Sequence, residues 1–292
     1  MKSKYKKGII IFVLVLIGLG FLNYEYTTTK IKNKIISENV DQISGIAPEG
    51  TRPLILLHGF NLLSSSRIAE LAFKDMQKDI VLDLNYINKG LLTDTTTCAE
   101  LKYSQNPIVI RASYLKNIEI LEIEDYTQNL NKIITLVLNC TGAKQVDLIT
   151  HSMGGIVARN YIKTVTNQTI KNLIMLGVPN HGGLYNIADS AEYFIQDGNS
   201  KINIDFIQLS ENHVFMQELN SGNETLTHIN YYTIAGNIDE KGDGLVLEES
   251  VKLKGAPHLT VKCNHISLKH PSLCPEAYNF IKEILIEKKK YK

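Results

Sequence analysis

The sequence predicts an α/β fold, with a mostly parallel central sheet and helices on both faces. Three observations carry that expectation. Leu54-Ile55-Leu56-Leu57 is a continuous apolar run, as expected of a strand buried on both faces of a parallel sheet. Leu130, Ile133, Ile134, Val137 and Leu138 recur at helical spacing. From Pro53 onward, short apolar runs alternate with helical stretches, the pattern of strands joined by helical crossovers.

The elements follow in order. Lys2, Lys4, Lys6 and Lys7 precede an uncharged run, Gly8 to Leu22, of 15 residues. Residues 1–30 therefore read as a signal anchor or transmembrane segment, with Tyr24 and Tyr26 at the membrane interface. No A-x-A cleavage site follows Leu22, which favours an uncleaved anchor over a cleaved signal peptide. The positive-inside rule puts the lysines in the cytoplasm and the remainder outside it; cleavage would make the protein secreted. Residues 31–50 read as a linker, ending in the turn signal Pro48-Glu49-Gly50. Residues 51–292 read as the main domain.

Within that domain, Leu54–Leu57 opens the sheet, Ile80–Leu84 is a second candidate strand, and Pro107–Ile110 a third. Residues 125–139 form an amphipathic helix, with Gly142 just past its end. Val146–Ile149 is a strand that runs into Thr150-His151-Ser152-Met153-Gly154-Gly155, and a helix follows to about Val165. Asn172–Leu176, Tyr231–Ala235 and Leu259–Lys262 are further strands, and Pro275–Glu287 is a closing helix. Residues 184–227 break the rhythm and carry Tyr185, Tyr193, Phe194, Phe206 and Phe215, as a cap or lid insertion would.

Composition excludes some functions. Lys and Arg number 31 against 30 Asp and Glu, a net charge of +1. There is no basic excess and no zinc-finger or RNA-binding signature, so no nucleic-acid partner is expected. Four cysteines, Cys98, Cys140, Cys263 and Cys274, lack any C-x-x-C pair. Outside the cytoplasm they can form two disulfides in three connectivities. Cys263 and Cys274 are close in sequence and are the expected pair, leaving Cys98 with Cys140.

Chemistry concentrates at Thr150–Gly155. A serine on a tight strand-to-helix turn projects its hydroxyl above the sheet, and small residues flank it because neighbouring chains pass close. Thr150 stands where the usual pattern has glycine. The helix that begins there directs free N–H groups at the site, which suits a developing oxyanion.

Leu56-Leu57-His58-Gly59-Phe60, His151-Ser152-Met153-Gly154-Gly155 and Gly177-Val178-Pro179-Asn180-His181-Gly182-Gly183 together resemble bacterial lipases and esterases of the α/β-hydrolase superfamily, the triacylglycerol lipase type. The resemblance runs from about residue 51 to the end. It implies an oxyanion hole made by the backbone N–H groups of Phe60 and Met153, with His58 shaping the loop.

A serine hydroxyl needs a base, and the base needs an orienting acid. Of eight histidines, His265 follows the last expected strand, where the family carries its catalytic histidine. His270 is the runner-up. His258 comes too early, His181 lies in a loop resembling a structural one, and His151 adjoins the serine on a turn where neighbours rarely face each other. His213 and His228 belong to the insertion or its edge. Asp243, in Gly242-Asp243-Gly244, completes the order Ser, Asp, His; Asp239 and Glu240 are nearby alternatives.

The expected function is hydrolysis of a lipid or other acyl ester through Ser152, Asp243 and His265, by way of an acyl-enzyme. Thioesterase, amidase and acyltransferase activities share the fold. A non-catalytic, membrane-tethered binding protein is the rival from another class. No cofactor or metal is expected: some related lipases hold calcium near the histidine, but no acidic residue lies between Asn264 and Pro275.

Overall fold

A computed structural model describes residues 50–59, 71–102, 105–115, 122–165, 168–185 and 208–287. The N-terminal apolar run, Phe60 and residues 186–207 of the expected insertion lie outside the described residues. The elements in chain order are β1 (Leu54–Leu57), α1 (Lys74–Leu84), β2 (Ile87–Leu91), α2 (Cys98–Leu101), β3 (Ile108–Ala112), α3 (Ile123–Thr141) and β4 (Val146–His151). Then come α4 (Met153–Thr164), β5 (Ile170–Leu176), α5 (Val214–Leu219), β6 (Asn230–Gly236), α6 (Glu248–Val251), β7 (His258–Val261), a 3₁₀ turn (Ser267–Lys269) and α7 (Pro275–Glu287).

The seven strands hydrogen-bond in the order β2-β3-β1-β4-β5-β6-β7. Every neighbouring pair is parallel. Parallel strands need crossovers, and the crossovers put helices on both faces. Strand alternation then divides the core in two. Ile55 and Leu57 join α3 and α4 in one apolar cluster. Leu54 and Leu56 join Met76, Ile80 and Leu84 of α1 and Ala277 and Ile281 of α7 in the other. All four residues of β1 are buried, so the uninterrupted apolar run has a direct cause. β1 lies between β3 and β4, where chain order reverses across the sheet. Ligands of open α/β sheets bind beyond the carboxyl ends of the strands at such a point.

One expected strand is a helix. Ile80–Leu84 forms the end of α1, which buries Met76, Ile80 and Leu84 four residues apart. The short run Ile80-Val81-Leu82 fits either period when read alone. The strand that was missed is β2, just after it. Its sequence, Ile-Asn-Lys-Gly-Leu, is only partly buried at the sheet edge and has no apolar run to reveal it. The expected helix at 125–139 extends to Ile123–Thr141, and Gly142 closes it in the left-handed region at φ 69°, donating its N–H to Leu138 O.

Both expected disulfides are present, Cys98–Cys140 and Cys263–Cys274, and no cysteine is free. The first joins α2 to the end of α3, across 42 residues of chain. Closing a loop of that length restricts the unfolded chain by about 4 kcal/mol. Replacing both cysteines with serine is therefore expected to lower unfolding free energy by about that amount. Denaturant titration reads the loss, and turnover at 25 °C should stay near that of the unmodified protein.

Candidate active site

Ser152 occupies the turn between β4 and α4. Its backbone sits at φ 53° and ψ −134°, a sparsely populated region for a residue with a side chain. Such a conformation costs about 1–3 kcal/mol and persists only where the surroundings enforce it. Here they do. Ser152 N–H donates to Leu176 O at 2.9 Å, and Gly155 N–H returns to Ser152 O at 2.9 Å. Thr150 stays inside the strand, buried, with its hydroxyl donating to Ile174 O at 3.3 Å. The threonine in place of glycine is thus absorbed by the sheet. Gly59, just after β1, packs directly on the serine: a Cβ there would stand 2.6 Å from Ser152 Cβ. Met153 opens α4, a helix of 12 residues whose first-turn N–H groups have no partner within the helix.

Asp243 and His265 meet. Asp243 Oδ2 accepts from His265 Nδ1 at 2.7 Å, with the carboxylate buried. Asp243 Oδ1 accepts from the N–H groups of Leu245 at 3.0 Å and Val246 at 2.7 Å. The His265 main chain donates to Asp243 O at 2.8 Å. Carboxylate oxygens accept, so Nδ1 of His265 carries hydrogen and Nε2 is left as the basic nitrogen. The Cys263–Cys274 disulfide brackets the segment that holds His265.

The His265 ring also lies against His151, with centroids 4.5 Å apart. His151 is the residue immediately before Ser152, so the His265 ring and the serine turn are neighbours. Ser152 Oγ and the His265 ring are not hydrogen-bonded to each other in this structure. Catalytic hydrogen bonds are often long or misaligned without substrate.

The other candidates have different duties. Asp239 accepts from the N–H groups of Lys241 and Gly242 and from Tyr185 Oη, shaping the acid loop from its exposed side. His270 faces Asp75 at 3.4 Å, and His181 pairs with Glu224 at 2.8 Å. His258 is the first residue of β7 rather than a residue ahead of it, and bonds Thr233 Oγ1 at 2.7 Å. His58 is fully enclosed. Its Nδ1–H donates to Gly59 O at 2.6 Å, Nε2 accepts from Ser113 at 2.9 Å, and the ring stacks on Tyr114. Burial lowers its pKa to about 4, so it is a neutral brace for the loop ahead of Phe60.

Residues 51–270 match the family described as Lipase (class 2). The chain belongs to the class 2 lipase family.

Among solved structures, the mature form of the Bacillus licheniformis lipase BlEst2 is similar with a TM-score of 0.54 and 17% identity, covering 84% of this chain and 96% of that one. The product of the Listeria innocua gene lin2722 gives 0.52 and 17%, covering 80% and 94%. The Legionella pneumophila phospholipase PlaB gives 0.50 and 14%, covering 69% of this chain and 46% of that one. These likenesses show a shared α/β-hydrolase fold. No curated protein matches the sequence. Family membership makes this class 2 lipase a hydrolase of lipid esters.

Two further residues of the class 2 lipase contact the Asp243–His265 pair, and neither stands among the sequence-predicted site residues. One is His151, set aside as a neighbour of the serine. The other is Gly177, at the end of β5, with φ 54°. A Cβ there would stand 2.9 Å from Asp243 Oδ2 and 3.1 Å from His265 Nδ1. It opens the Gly177–Gly183 segment, but nothing local in the sequence announces what passes over it. Gly177→Ala is expected to lower turnover by about 10- to 100-fold, because a shift of about 1 Å in a catalytic group can cost that much. Steady-state kinetics on a folded sample checks it.

Among the described residues, the only cluster with metal-ligating geometry is Cys263, Cys274 and Glu276, and both sulfurs there are joined in the disulfide.

Proposed function

We propose that the protein hydrolyses lipid esters with Ser152 as nucleophile, His265 as general base and Asp243 as the acid that orients it. One observation carries the reading: a buried carboxylate bonded to His265 Nδ1 at 2.7 Å, beside a serine held at φ 53° on a strand-to-helix turn. In the reaction, His265 Nε2 takes the Ser152 proton as Oγ bonds the acyl carbon. The carbonyl becomes an oxyanion, which the N–H groups of Met153 and Phe60 receive. The oxyanion collapses, the carbon–oxygen bond to the alcohol breaks, and His265 returns the proton to the departing alcohol. Water, deprotonated by the same nitrogen, then attacks the acyl-enzyme and releases the acid and free Ser152. The imidazolium formed in each half is stabilised by ionised Asp243.

The close packing of Gly59 on Ser152 supports the Phe60 assignment, since Phe60 is the next residue in the chain. Tyr193, Phe194 and Phe206 of the insertion support a role as a cover over an apolar acyl groove, whereas Phe215 of α5 packs in the main apolar core. An anchor in residues 1–30 would place this chemistry outside the cytoplasm. Two disulfides and no free thiol support an oxidising compartment. Among the described residues, no helix is long and apolar enough to cross a membrane, so the anchor rests on residues 1–30 alone.

The test is a panel of esters with graded acyl length. Turnover should rise from acetyl to longer chains. Equal rates across the panel would favour a general esterase and sink the lipid preference.

A further inference from the structure

His151 is a buried titratable side chain at the site with no part in the chemistry proposed above. Its ring leaves the end of β4 and reaches the loop after β7. There Nε2 lies 2.8 Å from the main-chain oxygen of His265. A carbonyl can only accept, so Nε2 carries the hydrogen and Nδ1 is bare. On its other side the ring packs against Gly59, where a Cβ would stand 3.1 Å from His151 Nδ1. His151 is thus wedged between the loop after β1 and the loop that carries His265. Burial, followed by the positive potential of His265, Lys269 and His270, holds its pKa well below the ordinary histidine value. At neutral pH it is therefore a neutral donor.

We propose that His151 is a positioning residue, whose Nε2–H holds the His265 carbonyl and so fixes the catalytic imidazole relative to the Ser152 turn. This rests on the assignment of Ser152, His265 and Asp243 made above. The other hydrogen bonds of His265 run to Asp243, through main-chain N–H and through Nδ1. They bind the histidine to the acid loop, not to the serine. The disulfide from Cys263 to Cys274 ties the loop to the start of α7. The His151 bond is the link from the His265 main chain to the residue beside the nucleophile. Without it, the His265–Asp243 unit stays joined but is free to shift against Ser152 as a body. Misplacement by about 1 Å costs on the order of 100-fold in rate.

The test compares His151→Leu, which fills space without a donor, with His151→Gln, whose side-chain amide reaches the position of Nε2. Kinetics with a soluble p-nitrophenyl butyrate are read beside the rate of Ser152 labelling by a fluorophosphonate and beside Tm. His151→Leu should lose about 10- to 100-fold in kcat with KM within about threefold, and labelling should slow by the same factor. His151→Gln should recover kcat to within about fivefold of the unmodified protein. Wild-type kcat in a folded His151→Leu with lowered Tm would reduce the residue to packing and overturn the proposal. So would a His151→Gln as slow as His151→Leu. If His151→Leu does not fold, His151→Asn replaces it, because its amide is too short to reach the carbonyl, and it should be slow where His151→Gln is fast. Ser152→Ala and His265→Ala run in the same assay. If they keep activity, the catalytic assignment has failed; if they lose it while His151→Leu does not, only the positioning role has.

Discussion

Ser152→Ala is expected to remove about 10⁶ from kcat while leaving the fold unchanged. The size follows from the unit to which the serine belongs. When a nucleophile is deleted, its base and acid have nothing to activate, so the loss approaches that of removing all three. The fold should survive because the turn is held through the backbone. Leu176 O accepts the N–H of residue 152 at 2.9 Å, and that bond needs no hydroxyl. Alanine pays the same conformational strain as serine at φ 53°, so the variant gains no relief that would confuse the comparison. Ester hydrolysis, fluorophosphonate labelling and the denaturation midpoint should be read on one preparation. Activity and labelling should vanish together with the midpoint unmoved. A variant that keeps more than about one hundredth of the turnover would show that another group delivers the nucleophile.

How much of this was legible in the sequence depends on where the determinant lies along the chain. β1 announces itself because both faces of the sheet are covered, so all four residues must be apolar. The serine turn announces itself because its steric demands fall on residues adjacent in sequence. Asp243 and His265 could be ranked because each follows an expected strand at a place where the family they resemble carries its acid and histidine; the parallel sheet puts both at the same end as Ser152. The edge strand β2 was not legible. Among the described residues one side of it has no partner strand, and its burial is partial, so no apolar pattern is imposed. The roles of His151 and Gly177 were hidden for another reason. Each is set by a contact with His265, 114 residues from His151, and no local pattern encodes such a meeting. The general expectation that a residue beside the serine points away is correct. What it points toward is the main chain of the histidine, a target that exists only once the sheet has assembled.

Asp243→Asn should lower kcat by about 10⁴, more than the loss of one charge suggests. The reason lies in the other half of the carboxylate. Oδ1 of Asp243 accepts two main-chain hydrogen bonds, from Leu245 at 3.0 Å and Val246 at 2.7 Å. These donors are fixed by the acid loop. An asparagine at 243 must keep its carbonyl oxygen there, because turning the NH₂ group toward two N–H donors would leave buried donors facing one another. The NH₂ group then occupies the place of Oδ2, facing His265 Nδ1. That nitrogen can no longer donate; it must accept. The imidazole therefore adopts the opposite tautomer, with its hydrogen on Nε2, where it cannot take the proton of Ser152. The geometry survives and the base is lost. His265 Nε2–H can also point at the serine oxygen as a donor, which stabilises the unreactive arrangement. KM should change little, because no substrate contact has been removed. If Asp243→Asn instead retains turnover within about tenfold, the carboxylate serves only to build its loop, and Asp239 becomes the acid to examine.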